Sequence, residues 1–156
     1  LRAATRLIAA HRQGRSGHMG DSAPGAFGEL RVGETKLEAV MRGAGETILF
    51  LHPEIGLDPK SPALDMLAKS ARVVAPSHPG FDGSDLPDHF STVEDLGYFY
   101  LDLIEALGLD DISVVGCSLG AWIAASIGLA ATSWANLGIG SAKANSLATL
   151  SAAASN

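Results

Sequence analysis

Apolar residues along this chain fall into short dense clusters separated by turn-forming residues, and the spacing within the clusters changes from segment to segment. Gly28 to Val32 and Thr35 to Met41 are short alternating runs around Gly33, the pattern of a β-hairpin. Gly43-Ala44-Gly45 reads as a turn. Thr47-Ile48-Leu49-Phe50-Leu51 is a continuous apolar run, which suits a parallel strand buried on both faces. A short helix is expected between Pro62 and Ser70, with Leu64, Met66 and Leu67 on one side, followed by a strand at Arg72-Val73-Val74-Ala75. Ser91 with Glu94 three residues later reads as a capping box. Val93, Leu96, Tyr100, Leu101, Ile104 and Leu107 then recur at helical spacing, and Gly108 can end that helix in the left-handed conformation. Ile112 to Val115 is a further strand, and Ala121 to Leu129 a helix of small residues. This alternation predicts an α/β fold, a mostly parallel sheet flanked by helices, with ligands at the carboxyl ends of the strands.

The two ends of the chain differ from this middle. Leu1 to Gly20 carries Arg2, Arg6, Arg12 and Arg15 and no acid. That bias suits an organellar transit peptide, but the single serine, Ser16, favours a disordered arm or translation from upstream of Met19. Ala131 to Asn156 is half Ala and Ser with one charge, Lys143, and shows neither strand pattern nor helix start. The expected organisation is therefore an arm at 1–26, a folded unit at 27–130 and an Ala/Ser-rich tail at 131–156.

Composition narrows the function classes. The 156 residues carry a net charge of −6, so nucleic acid and anionic membranes are poor partners. The single cysteine, Cys117, excludes an internal disulfide framework and a multi-cysteine zinc site, and fits a cytoplasmic setting. No charge interrupts Ile112 to Ala142, but Gly116, Ser118, Gly120, Ser126 and Gly128 break the stretch. A buried strand and helix explain it better than a membrane span, which needs roughly 18 or more consecutive apolar residues. No metal cluster, dinucleotide fingerprint or phosphate loop appears, so no cofactor is expected.

The candidate chemistry lies at Gly116-Cys117-Ser118-Leu119-Gly120, a G-x-S-x-G sequence. A strand runs directly into it and a small-residue helix directly out. Reversing from strand to helix within a few residues holds the serine in a strained conformation, and Gly116 and Gly120 remove side chains that would collide across the turn. At the helix N-terminus the N–H of Leu119 can donate to an oxyanion. Ser118 is thus the candidate nucleophile, whereas a plain N-cap serine is the simpler alternative. Cys117 should point the opposite way, as a small buried hydrophobe.

With these segments the chain resembles the α/β-hydrolase family, over about Gly28 to Leu129, as its N-terminal half. Leu51-His52-Pro53-Glu54-Ile55-Gly56 is similar to the family's His-Gly oxyanion loop. The resemblance implies that the N–H of Glu54 is a second oxyanion donor and that His52 supports the loop, with Pro53 standing where glycine is usual. Ala75 to Asp85 is similar to the Asp-His-Pro-Gly-Phe-Gly-x-Ser stretch after the fourth strand, with Ser77 in place of aspartate and Asp82 in place of glycine. This makes His78 a structural loop residue. The resemblance implies a serine hydrolase acting on a small-molecule acyl substrate.

A serine nucleophile needs a base and an acid, in this fold following it in the chain. After Ser118 there is no Asp, Glu or His, and all five histidines, His11, His18, His52, His78 and His89, come earlier. The expectation is a truncated gene product, with a frame shift near Leu129 to Ser133, weak or inactive by itself. A non-catalytic half-domain or pseudoenzyme and an acyltransferase remain alternatives. The strand before Ser118 would be left as an open sheet edge, inviting self-association.

Overall fold

The computed structural model describes residues 21–23, 25–109 and 111–136, with side chains to residue 129. Five strands form one mixed sheet: β1 (Gly28–Val32), β2 (Thr35–Arg42), β3 (Thr47–Leu51), β4 (Arg72–Pro76) and β5 (Ile112–Gly116). Three helices join them: α1 (Pro62–Leu67), α2 (Val93–Ala106) and α3 (Leu119–Asn136). The strand order is β1-β2-β4-β3-β5. The hairpin β1–β2 is antiparallel, and β2 joins β4 antiparallel. The remaining pairs, β4–β3 and β3–β5, are parallel. Each expected strand is present, and the sheet is parallel only in the half that carries Ser118.

Period-two alternation divides the core between the two sheet faces. Leu37, Ala39, Met41, Leu49, Leu51 and Val74 face one way, packed with Phe99, Tyr100, Leu103, Ile123 and Ile127 from α2 and α3. Val40, Val73 and Ala75 face the other way, with Leu57 and Leu64. Both faces of β3 and β4 are therefore covered, which explains why these strands read as unbroken apolar runs. Helices α2 and α3 approach closely at Gly97, where a β-carbon would fall 2.9 Å from that of Ser126.

Helix boundaries depart from the sequence reading in instructive ways. The capping box is Thr92 with Asp95, one residue later than expected. Asp95 N–H donates to Thr92 Oγ1 at 3.2 Å, and Thr92 N–H to Asp95 Oδ2 at 2.8 Å. The Ser91 N–H adds a further bond to the same carboxylate, at 2.9 Å. Aspartate is the shorter acid, but it reaches both amides, and their bonds hold its carboxyl below its usual range. At the other end Gly108 has φ 65°, and the N–H groups of Gly108 and Leu109 return to the carbonyls of Glu105 and Ile104, each at 3.0 Å. This is a complete Schellman motif.

In α1, Leu64 is buried but Met66 is exposed. The helix has a single short run, so Met66, two positions from Leu64, falls on the opposite side. The buried face of α2 includes Phe99 and Leu103, which the expected spacing passes over. Helix α3 begins at Leu119 and reaches Asn136, so the first residues of the Ala/Ser-rich stretch continue the helix. The rest of that stretch lies outside the described residues, as does the arm from Leu1 to Gly20. The end of the expected arm is held to the sheet. Ser22 N–H donates to the Met41 carbonyl at 2.8 Å and Asp21 pairs with Arg72.

Removing the cap at Thr92 should cost about 1 kcal/mol. In urea unfolding Thr92→Ala is expected to be less stable by that much, while Glu94→Ala leaves the unfolding free energy within about 0.5 kcal/mol, as expected of exposed surface positions. The reverse order of the two variants would return the cap to Ser91 and Glu94.

Candidate active site

The parallel register sets Leu51 of β3 opposite Gly116 of β5. The loops leaving these two strands therefore start side by side at the carboxyl edge of the sheet. Cys117 N–H donates to the Leu51 carbonyl at 3.2 Å, extending the ladder by one bond. The chain then reverses. Ser118 adopts φ 52°, and its carbonyl accepts the N–H groups of Ala121 and Trp122 at 3.0 and 3.2 Å. A non-glycine residue in this left-handed region is uncommon and costs of order 1–3 kcal/mol, supplied by the surrounding structure.

Both flanking glycines are sterically required. A β-carbon on Gly116 would lie 2.2 Å from the Gly120 carbonyl oxygen, and one on Gly120 would lie 2.1 Å from that of Leu51. These distances are far inside van der Waals contact, so α3 can reach β3 only through bare backbone.

The loop after β3 is anchored from beneath by His52, which is 1% exposed. Its Nδ1 donates to the Pro53 carbonyl at 2.6 Å, and its Nε2 accepts the N–H of His78 at 2.8 Å. The same Pro53 carbonyl accepts the Gly56 N–H at 3.1 Å, closing a tight turn around Glu54. His78 is fully buried. Its Nε2 donates to the His52 carbonyl at 2.9 Å, and its Nδ1 accepts from the Tyr100 hydroxyl at 2.5 Å. The two imidazoles stack with centroids 3.7 Å apart. Every ring nitrogen thus has a partner that suits the neutral ring. Burial lowers the pKa of His52, and lowers that of His78 to about 4, with the neighbouring His52 charge adding to the latter. Burial also pushes the Tyr100 phenol up.

Glu54 is exposed at the tip of this turn, and its carboxylate meets the strand-to-helix reversal. The Ser118 hydroxyl, the N–H of Glu54 itself and the N–H of Leu119 all donate to it and hold its carboxyl below the usual range. Glu54 and Leu119, whose amides were singled out from the sequence, lie where the chain leaves the neighbouring strands β3 and β5. Ser118, Leu119, Glu54, Gly116, Gly120 and His52 form one cluster. His89 stands apart, exposed and edge-on to Phe90.

Two further features were not legible in the sequence motifs. The hydroxyl of Ser77 donates to Asp82, whose φ is 49°. The two departures from the family pattern in this loop are thus partners. Beside the reversal lies an apolar groove lined by Pro79, Leu86, Phe90, Val93, Leu96 and Trp122. Cys117 corrects an expectation. Its thiol is exposed, because it sits in the turn beyond the last strand residue, where strand alternation no longer decides direction.

The neutral histidine pair fixes a pH dependence. The unfolded chain takes up protons on these rings near pH 6.5, whereas His78 in the fold resists until about pH 4. Between these values acid stabilises only the unfolded state, so stability falls as pH falls. His78 alone should remove roughly 2 kcal/mol between pH 7.5 and pH 5. Urea unfolding at the two pH values checks this, and equal midpoints would contradict it.

Similarity to known proteins agrees with this geometry. The family described as "Alpha/beta hydrolase family" matches residues 48–154. Among solved structures, wild-type Cfl2 from Burkholderia cenocepacia is 23% identical with TM-score 0.58, over 68% of this chain and 37% of that one. The epoxide hydrolase CorEH is 21% identical with TM-score 0.55, over 65% of this chain and 36% of that one. E-2-(acetamidomethylene)succinate hydrolase is 24% identical with TM-score 0.56, over 62% of this chain and 37% of that one. The chain thus spans little more than a third of the length of these structures. No curated protein sequence matches it. With the matched residues running from β3 through the reversal at Ser118 into α3 and beyond, the chain belongs to the alpha/beta hydrolase family.

Proposed function

We propose that this chain carries the nucleophilic half of a serine hydrolase that cleaves an ester or related acyl bond. The observation that carries the reading is Ser118 held at φ 52° between β5 and α3. In this reading the Ser118 oxygen attacks the acyl carbon. The carbonyl oxygen, as it gains negative charge, is received by the N–H groups of Leu119 and Glu54 at the positive end of α3. The apolar groove that includes Trp122, one helical turn beyond Ser118, suits a small-molecule substrate with an apolar portion. An exposed thiol at Cys117 suits a reducing, cytoplasmic setting.

The proton of Ser118 needs an acceptor. His52 and His78 are excluded from that role, since both rings are buried and bonded elsewhere. Neither histidine can therefore serve as that base, and without one the reaction is slow. A neutral alkyl fluorophosphonate tests the nucleophile. Ser118 oxygen forms a bond to phosphorus, fluoride leaves and the proton passes to buffer. Added imidazole should speed the reaction by serving as a diffusible base. The adduct is expected on the peptide containing Ser118 and should vanish in Ser118→Ala. An adduct that persists in that variant would refute the assignment.

The open side of β5 favours a second reading, in which the chain assembles with another polypeptide. Among the described residues β5 pairs only with β3, and it is less buried than β3 or β4. An unpaired edge of this kind presents free N–H and C=O groups to another strand. Self-association that grows with concentration is the expected behaviour in sedimentation velocity. A single monomeric species across the range would count against it.

A further inference from the structure

We propose that Tyr100 is a positioning residue for the Ser118 site: its hydroxyl, acting through His78, fixes the peptide group of His52 against which the turn after Ser118 is packed. This rests on the reading of Ser118 as nucleophile. The His52 carbonyl is where the two meet. A β-carbon on Gly120, two residues after Ser118, would lie 2.8 Å from that oxygen. The same oxygen accepts the Nε2–H of His78 at 2.9 Å. The turn from Pro53 to Gly56, which carries the Glu54 N–H, follows directly from this peptide.

The protons in this cluster can be placed in one way only. Carbonyl oxygens accept and never donate. The His78 nitrogen facing the His52 carbonyl and the His52 nitrogen facing the Pro53 carbonyl must therefore each carry hydrogen. The other two ring nitrogens are then acceptors. That of His52 takes the His78 N–H at 2.8 Å, and that of His78 takes the Tyr100 hydroxyl at 2.5 Å. Tyr100 is fully buried in the core with Phe99 and Leu103. A phenylalanine would fill the same space, so the bond to His78 is what distinguishes tyrosine at this position. Without it, His78 Nδ1 is a buried acceptor with no donor. The ring relieves that state by turning, and turning releases the His52 carbonyl.

Labelling by the neutral alkyl fluorophosphonate, at fixed imidazole, is followed on the full chain and on Tyr100→Phe over a range of probe concentrations. The rate at saturating probe should fall about tenfold in Tyr100→Phe, the effect of a sub-ångström misplacement of reacting groups, while the half-saturating concentration stays the same. His78→Gln keeps an amide donor for the His52 carbonyl but offers no acceptor at the Nδ1 position. Adding Tyr100→Phe to it should therefore leave the rate unchanged. A general loosening of the core would slow labelling equally in both backgrounds. That result, an unchanged rate in Tyr100→Phe, or a change confined to the half-saturating concentration overturns the role of Tyr100 and leaves the nucleophile standing. The unsubstituted chain supplies a check that does not depend on the folding of any variant. Its nitrogen-15 spectrum at neutral pH should show His78 protonated on Nε2 and His52 on Nδ1, and a His78 protonated on Nδ1 overturns the proposal. Absence of labelling on every protein overturns the nucleophile and this role together.

Discussion

Gly120 lies with its Cα against the carbonyl of Leu51, so close that no side chain of any size fits between them. This contact between two backbones brings the first turn of α3 against the end of β3. Three consequences follow from it. Ser118 is forced into the left-handed region, because the chain has only the residues from Gly116 to Gly120 in which to reverse. The N–H of Leu119 is left free of the helix ladder and turned toward the loop after β3. That loop, carrying Glu54, leaves β3 beside the point where the chain leaves β5. A displacement of one helical residue at this point would undo all three.

A second layer supports the first from below. His52 and His78 are buried polar groups under the loop, and each would be costly if unpaired. They solve the problem mutually, since each bonds the other's main chain, while Pro53 and Tyr100 take the remaining ring nitrogens. Two loops from two different strands are thereby locked into one platform. The loop after β4 is pinned outward as well. Ser77 N–H reaches the Glu38 carbonyl at 2.8 Å, Ser84 Oγ accepts the N–H of Glu38 at 3.0 Å, and Asp85 exchanges bonds with Lys36.

Much of this was readable from residue order. Every strand was legible, because strands buried on two faces leave unbroken apolar runs and the hairpin leaves alternation. The reversal at Ser118 was legible because glycine spacing there answers a steric demand. Other features depended on geometry that spacing does not encode. The choice between Ser91 and Thr92 as cap turns on which residue leaves the helical conformation, and both have an acid three residues on. The end of α3 was missed because alanine continues a helix without any apolar period. The bonding of His78 to Tyr100 joins residues 22 positions apart, and no local motif announces it. The side chain of Glu54 was read only for its main-chain N–H, since a motif does not show which way a carboxylate folds.

The pinning of residues 77–85 to β2 bears on motion. Those bonds make the loop a continuation of the sheet, although it has no regular strand of its own. It cannot open by itself without first breaking the edge of β2 and uncovering the stacked imidazoles. The segment is therefore held as firmly as the sheet edge to which it is bonded, and it should unfold with the hairpin as one cooperative unit. Any local flexibility near Ser118 has to come from residues outside these bonds, such as Ile55 and Trp122, which stand exposed.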